Sequence, residues 1–339
     1  MNIDERLRLI TRNTAEIVTE DELKKLLTKK SPTVYLGTAI TGRPHIAYFV
    51  WVLKLSDFLR AGFHVKVLLA DLHGALDNCP WDLLEKRYNY YTAVIKLLFT
   101  AVGVDVKNLT FVKGSDFQLK KEYVLDMLRL ATHTTINDAK RAASEVVKFG
   151  DNPKLSGIIY PLMQALDEQY LDTDVQYGGV DQRKILMYAR EFLPKVGYKP
   201  RIEIMTPLIP GLVGKKMSSS DVKSKIDLLD DEKTVKDKVN SAHCVAGDVN
   251  DNGVLAFTQH VLMVLKGDRS EPFLIKRPEK YGGNISYSSY SELEKDYAAQ
   301  KLFPLDLKNA VADELNKLLK PFRDKRADLL KIAKDAYTE

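Results

Sequence analysis

Two short stretches of this chain carry residue types that could act at phosphates. One is Thr41-Gly42-Arg43-Pro44-His45-Ile46-Ala47-Tyr48, where a turn runs into a helical pattern. The other is Lys216-Met217-Ser218-Ser219-Ser220, preceded by Pro210-Gly211-Leu212-Val213-Gly214-Lys215. A helix start offers unpaired N–H groups and the positive end of the helix dipole. His45 just inside such a start can donate to a phosphate oxygen, and Gly42 lets the backbone come close. Lys216, on a loop rich in Gly and Ser, can swing a charge onto the same group, while Ser218, Ser219 and Ser220 add short donors. This set fits the activation of a carboxylate by ATP, in which negative charge builds as pyrophosphate leaves. Taken singly, each stretch has a plainer reading. A histidine beside a proline turn is an ordinary cap or surface residue, and a Lys-Met-Ser run is an ordinary solvated loop. Gly211-x-x-Gly214-Lys215 has the wrong spacing for a phosphate-binding P-loop, and no Ser or Thr follows its lysine.

The elements around the first stretch are those of a nucleotide-binding sheet. Thr33-Val34-Tyr35-Leu36-Gly37 reads as a buried strand, rich in β-branched and aromatic residues. His45 to Ala61 reads as a helix, with apolar Ile46, Phe49, Val50, Leu53 and Leu55. His64 to Ala70 is a second strand. Strand, turn, helix, strand is the right-handed parallel βαβ unit. Further strands are expected at 108–112, 175–179 and 202–205, and helices over 4–30 (a pair), 81–102, 119–149 and 160–170. From about Asp231 helical patterns dominate, at 233–242, 254–265, 291–300, 307–319 and 321–336. The reading is an α/β chain: a Rossmann-like parallel-sheet catalytic domain over 1–230, and an α-helical domain over 231–339.

The chain has 339 residues, 45% of them apolar and 29% charged, enough for two globular domains with real cores. Its net charge is +5, and the whole excess lies in residues 1–230, which permits nucleic-acid binding without requiring it. Cys79 and Cys244 are too few for a disulfide framework or a cysteine metal site, and fit a reducing compartment. No apolar run reaches membrane-spanning length, and the charged start resembles no secretory signal. A cytoplasmic protein with no membrane partner is expected.

In combination the motifs resemble those of class I aminoacyl-tRNA synthetases. His45-Ile46-Ala47-Tyr48 resembles His-Ile-Gly-His, and Lys216 to Ser220 resembles Lys-Met-Ser-Lys-Ser. Tyr160-Pro161-Leu162-Met163-Gln164-Ala165-Leu166-Asp167 and Gly178-Gly179-Val180-Asp181-Gln182-Arg183-Lys184 are similar to the tyrosyl-tRNA synthetase family of archaeal and eukaryotic cytosolic type. Pro304 to Val311 extends the likeness into the second domain. Tyr48, Ala47 and Ser219 depart from the general class I motifs and leave fewer protein charges at the phosphates.

The resemblance implies an enzyme that ligates L-tyrosine to tRNA(Tyr) through a tyrosyl-adenylate, with ATP as substrate, Mg²⁺ accompanying it, and K⁺ as a possible supplement for the missing charge. It implies His45, Lys216 and Ser218 as catalytic residues, and Gly42, His45, Tyr48, Asp181, Lys216 and Ser219 at ATP, with Asp181 on the ribose. The Lys-Met-Ser loop would span 211–222. Tyr160, Gln164 and Asp167 share one helix face by spacing. Tyr35 and Asp167 are expected at the phenol hydroxyl, and Tyr160, Gln164 and Gln182 at the ammonium. Tyr281 and Asp306 are expected to read the anticodon, by stacking and by edge contacts, although Asp306 would also serve as a helix N-cap before Leu307. A connective insertion near 100–155 is expected to supply homodimer contacts. Two alternatives stay open at this point: the related tryptophan enzyme, and a catalytically retired homologue that binds RNA.

Overall fold

The computed structural model describes residues 1–212 and 225–337. Lys216, Ser218 and Ser219, with all but the first two residues of the expected 211–222 loop, lie outside the described residues. Six strands form the main sheet: β1 (Glu16–Val18), β2 (Thr33–Ala39), β3 (His64–Ala70), β4 (Leu109–Lys113), β5 (Val175–Gly179) and β6 (Ile202–Thr206). Their order is β1-β6-β5-β2-β3-β4, parallel except for β1, which runs antiparallel to β6. Parallel strands are covered on both faces, which is why β2 and β3 read as nearly continuous apolar runs. Their side chains alternate between two cores. Val34, Leu36, Val65, Val67 and Leu69 join one core, while Tyr35, Leu68 and Ala70 join the other.

The chain builds outward from β2 to β3 and β4, then returns to the opposite side of β2 with β5. Open α/β sheets bind ligands at the carboxyl ends of strands where the order reverses in this way. Here the reversal lies between β2 and β5. The two strands pair only at Val34↔Val175 and Tyr35↔Gln176, so their carboxyl ends are unpaired with each other. Gln176 in turn pairs with Glu203 of β6, so Tyr35, Gln176 and Glu203 form one rung across three strands.

Helix Tyr48–Arg60 links β2 to β3, and helix Leu84–Val102 links β3 to β4. Between β4 and β5 come helices Ser115–Gln118, Lys121–Thr132, Ile136–Ala143 and Leu155–Tyr170. Beyond β6 helices prevail, and helix Glu232–Ser241 packs on helix Pro304–Leu318. The final helix, Arg326–Ala336, packs back on Leu84–Val102.

Several expectations need correction. Residues 4–30 contain helices Ile3–Thr11 and Glu20–Leu26, but β1 separates them. A three-residue edge strand is too short to display an alternating pattern. The second half is not purely helical: β7 (Phe273–Ile275) and β8 (Ile285–Tyr287) form a hairpin. The 254–265 pattern is a helix with a π-helical turn at Thr258–Leu262. The last helical run breaks at Lys325 into Lys320–Asp324 and Arg326–Ala336.

Candidate active site

A cavity of about 410 Å³ opens at the carboxyl ends of β2 and β5. Tyr35, Tyr160, Gln164, Asp167, Asp181 and Gln182 all line it, together with Tyr48. Tyr35 arrives on β2, and Tyr160, Gln164 and Asp167 on one face of helix Leu155–Tyr170. Asp181 and Gln182 follow β5, which ends at Gly178-Gly179, in a 3-10 turn over Val180–Gln182. A side chain at either glycine would crowd these two residues. A Cβ on Gly179 would sit 2.6 Å from Asp181 Oδ1, and one on Gly178 would crowd the Gln182 side chain at 3.2 Å.

The polar groups are ordered by hydrogen bonds. The Tyr35 hydroxyl donates to the Gln164 carbonyl at 3.4 Å, and Gln164 Nε2 donates to Gln182 Oε1 at 3.1 Å. Asp167 is buried, and its Oδ1 accepts from Gln118 Nε2 at 2.8 Å and from the Tyr123 hydroxyl at 2.9 Å. Burial pushes its carboxyl up from the ordinary 3.8 to about 8, against the pull of the Gln118 and Tyr123 hydrogen bonds. Burial thus favours the protonated form of Asp167, while the two hydrogen bonds favour the carboxylate. Burial likewise raises the Tyr35 phenol, with the nearby Glu168, Asp167 and Glu203 carboxylates adding to it. The His73 ring meets Tyr160 edge-on at 4.6 Å, and burial lowers His73 to about 4.

A second cavity, about 1230 Å³, adjoins the first and shares Tyr48, Glu145 and Val146 with it. Thr41, Gly42 and His45 line this second space. His45 is not inside a helix start, as the sequence suggested. The helix begins at Tyr48, and His45 instead pairs with Asp227 in an isolated antiparallel bridge. Ile46 N–H donates to Ile226 O at 3.1 Å, tying the turn to the stretch that follows the 211–222 loop. His45 Nδ1 accepts from Ala47 N–H at 3.4 Å, so Nε2 carries the proton. Burial, reinforced by Lys225, holds the imidazole down at about 4, so it is neutral at physiological pH. The turn is also fixed from below. Gly42 O accepts from the Tyr91 hydroxyl and, at 3.0 Å, from the Tyr337 hydroxyl, and Arg87 donates to Thr41 O.

The structure thus brings all the expected tyrosine-site residues into one cavity and Gly42, His45 and Tyr48 to its neighbour. Tyr281 and Asp306 lie elsewhere, in the second half. Tyr281 is 62% exposed and closes a short turn, with Lys280 Nζ 4.8 Å above its ring. Asp306 is not an N-cap: helix Pro304–Leu318 starts two residues earlier, leaving Asp306 in its first turn. Sequence reasoning missed His73, Gln118, Tyr123 and Gln176. Gln118 and Tyr123 bond Asp167 from outside the cavity wall, while His73 and Gln176 line it. They come from distant segments, and no local spacing marks them. Among the described residues no group of three or more His, Cys, Asp or Glu is placed to hold a metal ion, and no helix is long and apolar enough to cross a membrane.

A crevice at the switch point of an open parallel sheet, with a histidine turn beside it, is the setting of a nucleotide-binding α/β fold. The family described as tRNA synthetases class I (W and Y) matches residues 27–320. The chain is 51% identical over 337 residues to the cytoplasmic tyrosine–tRNA ligase of Gallus gallus, covering 98% of itself and 63% of that protein. It is 47% identical over 341 residues to the tyrosine–tRNA ligase of Haloarcula marismortui, covering 100% of itself and 99% of that protein. The solved tyrosyl-tRNA synthetase of Archaeoglobus fulgidus, complexed with L-tyrosine, superposes with a TM-score of 0.88 at 41% identity, over 96% of this chain and 99% of that one. The chain belongs to the class I tRNA synthetases and, within them, to the tyrosyl-tRNA synthetase family. It spans 63–64% of the length of the vertebrate relatives it matches.

Proposed function

We propose that this chain activates L-tyrosine with ATP and transfers the tyrosyl group to tRNA(Tyr). One tyrosine carboxylate oxygen attacks the α-phosphorus, pyrophosphate leaves, and a terminal ribose hydroxyl of the tRNA then attacks the tyrosyl carbonyl, releasing AMP. No protein nucleophile is needed, and rate comes from positioning and charge stabilisation. The observation that carries this reading is the joint placement of Tyr35 and Asp167, both buried, on the wall of one cavity beside the His45 turn. In this reading Tyr35 and Asp167 meet the phenol hydroxyl. Gln164, Gln182 and Tyr160 meet the ammonium, and Asp181 the ribose. The neutral His45 Nε2–H donates to a phosphate oxygen with Tyr48 and Gly42 beside it. Lys216, Ser218 and Ser219 bring donors from the loop.

Mg²⁺ would accompany ATP as an ion carried on its phosphates. Ser219 stands where the class motif has lysine, and a K⁺ ion would supply the missing charge. An activation rate insensitive to K⁺ removal would count against that part. The helical second half, 231–339, is assigned to the anticodon, with Tyr281 stacking and Asp306 reading a base edge. A homodimer is supported by a run of exposed apolar side chains, Leu119, Leu125, Leu128 and Ile136, in the segment near 100–155. A cytoplasmic location is supported by the naming of the eukaryotic relatives. Pyrophosphate exchange measured with each of the twenty amino acids tests the whole reading. Exchange with tryptophan alone, or with none, would overturn it.

A further inference from the structure

The carbonyl side of the histidine turn is gripped by side chains that line neither cavity. Helix Leu84–Val102 presents Arg87 and Tyr91, four residues apart and so on one face. They reach successive carbonyls of the turn. Arg87 Nη1 donates to Thr41 O and, at 3.4 Å, to Ile40 O, while the Tyr91 hydroxyl donates to Gly42 O. Gly42 O accepts a second bond, at 3.0 Å, from the hydroxyl of Tyr337, the residue that follows helix Arg326–Ala336.

Arg87 ties these pieces together. Its Nε donates to Ala336 O at 3.1 Å, and its guanidinium lies 4.7 Å over the Tyr337 ring. Tyr48 joins from the other side: its hydroxyl donates to the Tyr91 hydroxyl at 3.4 Å, and its ring meets His45 edge-on at 5.5 Å. The donors thus run in one direction, from Tyr48 to Tyr91 to Gly42 O, with Tyr337 as the second donor to that carbonyl. Burial raises the phenols of Tyr91 and Tyr337, and neighbouring tyrosines add to it, so both hydroxyls keep the protons these bonds need. Two donors on one carbonyl occupy both of its lone pairs, which leaves the Gly42 peptide plane little freedom to turn. Tyr91 is buried, so solvent does not stand in for its bond. On the other side of the turn, Thr41, Gly42 and His45 line the second cavity. Groups fixed in advance in this way meet a developing charge without reorganising first.

We propose that Tyr91 and Tyr337 are positioning residues for the ATP step, their hydroxyls jointly fixing the Gly42 carbonyl and, through it, the placement of His45 and Tyr48 against the phosphates. The inference rests on the reading of the His45 turn as the ATP site. Through Tyr337 it makes the second half of the chain part of what shapes that site.

The Y91F, Y337F and Y91F/Y337F variants remove hydroxyls and keep the rings packed. Pyrophosphate exchange gives the dependence on ATP and on tyrosine, calorimetry gives ATP affinity, and the Tm reports the fold. Each single variant keeps one donor on Gly42 O and should lower kcat/KM for ATP by about fivefold, the scale of one hydrogen bond. The double variant should lose more than the product of the two, because it alone strips the carbonyl of both hydroxyls. It should also bind ATP about fivefold more weakly. KM for tyrosine should stay unchanged, since neither residue lines the tyrosine cavity. Hydroxyls with a purely structural role would lower the Tm and either leave both substrates unaffected or weaken both alike, and either result overturns the proposal. A double-variant loss no greater than the product refutes the joint action on Gly42. A chain that binds ATP but exchanges with no amino acid fails the tyrosine reading; weaker ATP binding by the double variant would still support this proposal, and unchanged ATP binding would then overturn it. No ATP binding by the unaltered chain would overturn both.

Discussion

Replacing Asp167 by asparagine isolates what a buried carboxyl costs this fold. Asp167 is 1% exposed, and burial lifts its pKa from 3.8 to about 8. Between those values the folded chain holds a proton that the unfolded chain has released. Stability tied to this group is therefore fully present below about pH 4 and is lost as pH rises through about 8. The gap corresponds to about 6 kcal/mol at high pH, an order-of-magnitude figure. Asparagine keeps an acceptor for Gln118 and Tyr123 but never ionises. The D167N variant should match the unaltered chain at pH 5 and exceed it in stability by several kcal/mol at pH 9, while losing tyrosine activation. Urea unfolding followed at pH 5, 7 and 9 reads the difference, provided the slope with denaturant is unchanged. A stability difference independent of pH, or a variant weaker at pH 9, would show that the carboxyl is ionised and useful throughout, and the burial argument would fail.

Removing the Tyr35 hydroxyl with Y35F should erode the preference for tyrosine over phenylalanine. Sites that bond a substrate hydroxyl reject the analogue lacking it by about 10⁴–10⁵, a range for which tyrosyl-tRNA synthetases are themselves the reference case; unchanged selectivity in pyrophosphate exchange would exclude the assignment. The H45A variant should slow activation by about 10²–10³, the scale for losing one transition-state donor. Because His45 is already neutral, the rate profile of the unaltered chain should show no inflection from it near pH 6.5. The stability His45 contributes is present above pH 6.5 and is lost as pH falls through about 4. The G253A variant should melt at a visibly lower temperature, since its Cβ would lie 2.2 Å from Gly211 O, backbone that leads directly into the 211–222 loop. The Y281A and D306A variants should leave tyrosine-dependent exchange intact and weaken aminoacylation of tRNA(Tyr); full aminoacylation by D306A would remove that residue from the anticodon reading.

The strands bearing the site were legible because parallel strands bury both faces, and runs such as Val34 to Leu36 and Val65 to Ala70 announce that directly. The helix face of Tyr160, Gln164 and Asp167 followed from spacing alone. What could not be read was set by contacts distant in sequence. β1 is defined by β6, almost two hundred positions away, and carries no pattern of its own. His45 sits in a bridge to Asp227, so its position depends on a partner that no local rule supplies. Gln118 and Tyr123, which hydrogen-bond Asp167, are recognisable only once the helices between β4 and β5 fold onto helix Leu155–Tyr170.

The rung Tyr35–Gln176–Glu203 ties the pocket wall at Tyr35 and Gln176 to a third strand behind it. Gln176 Oε1 and both Glu203 oxygens are buried without hydrogen-bond partners among the described residues, as are both oxygens of Glu168. An attempt to retune the guest specificity by exchanging Tyr35 alone would alter the neighbourhood of groups that already lack bonding partners. Redesign of this cavity has to change the row as a unit, and the carboxyls beneath it set how much polarity any new guest can bring.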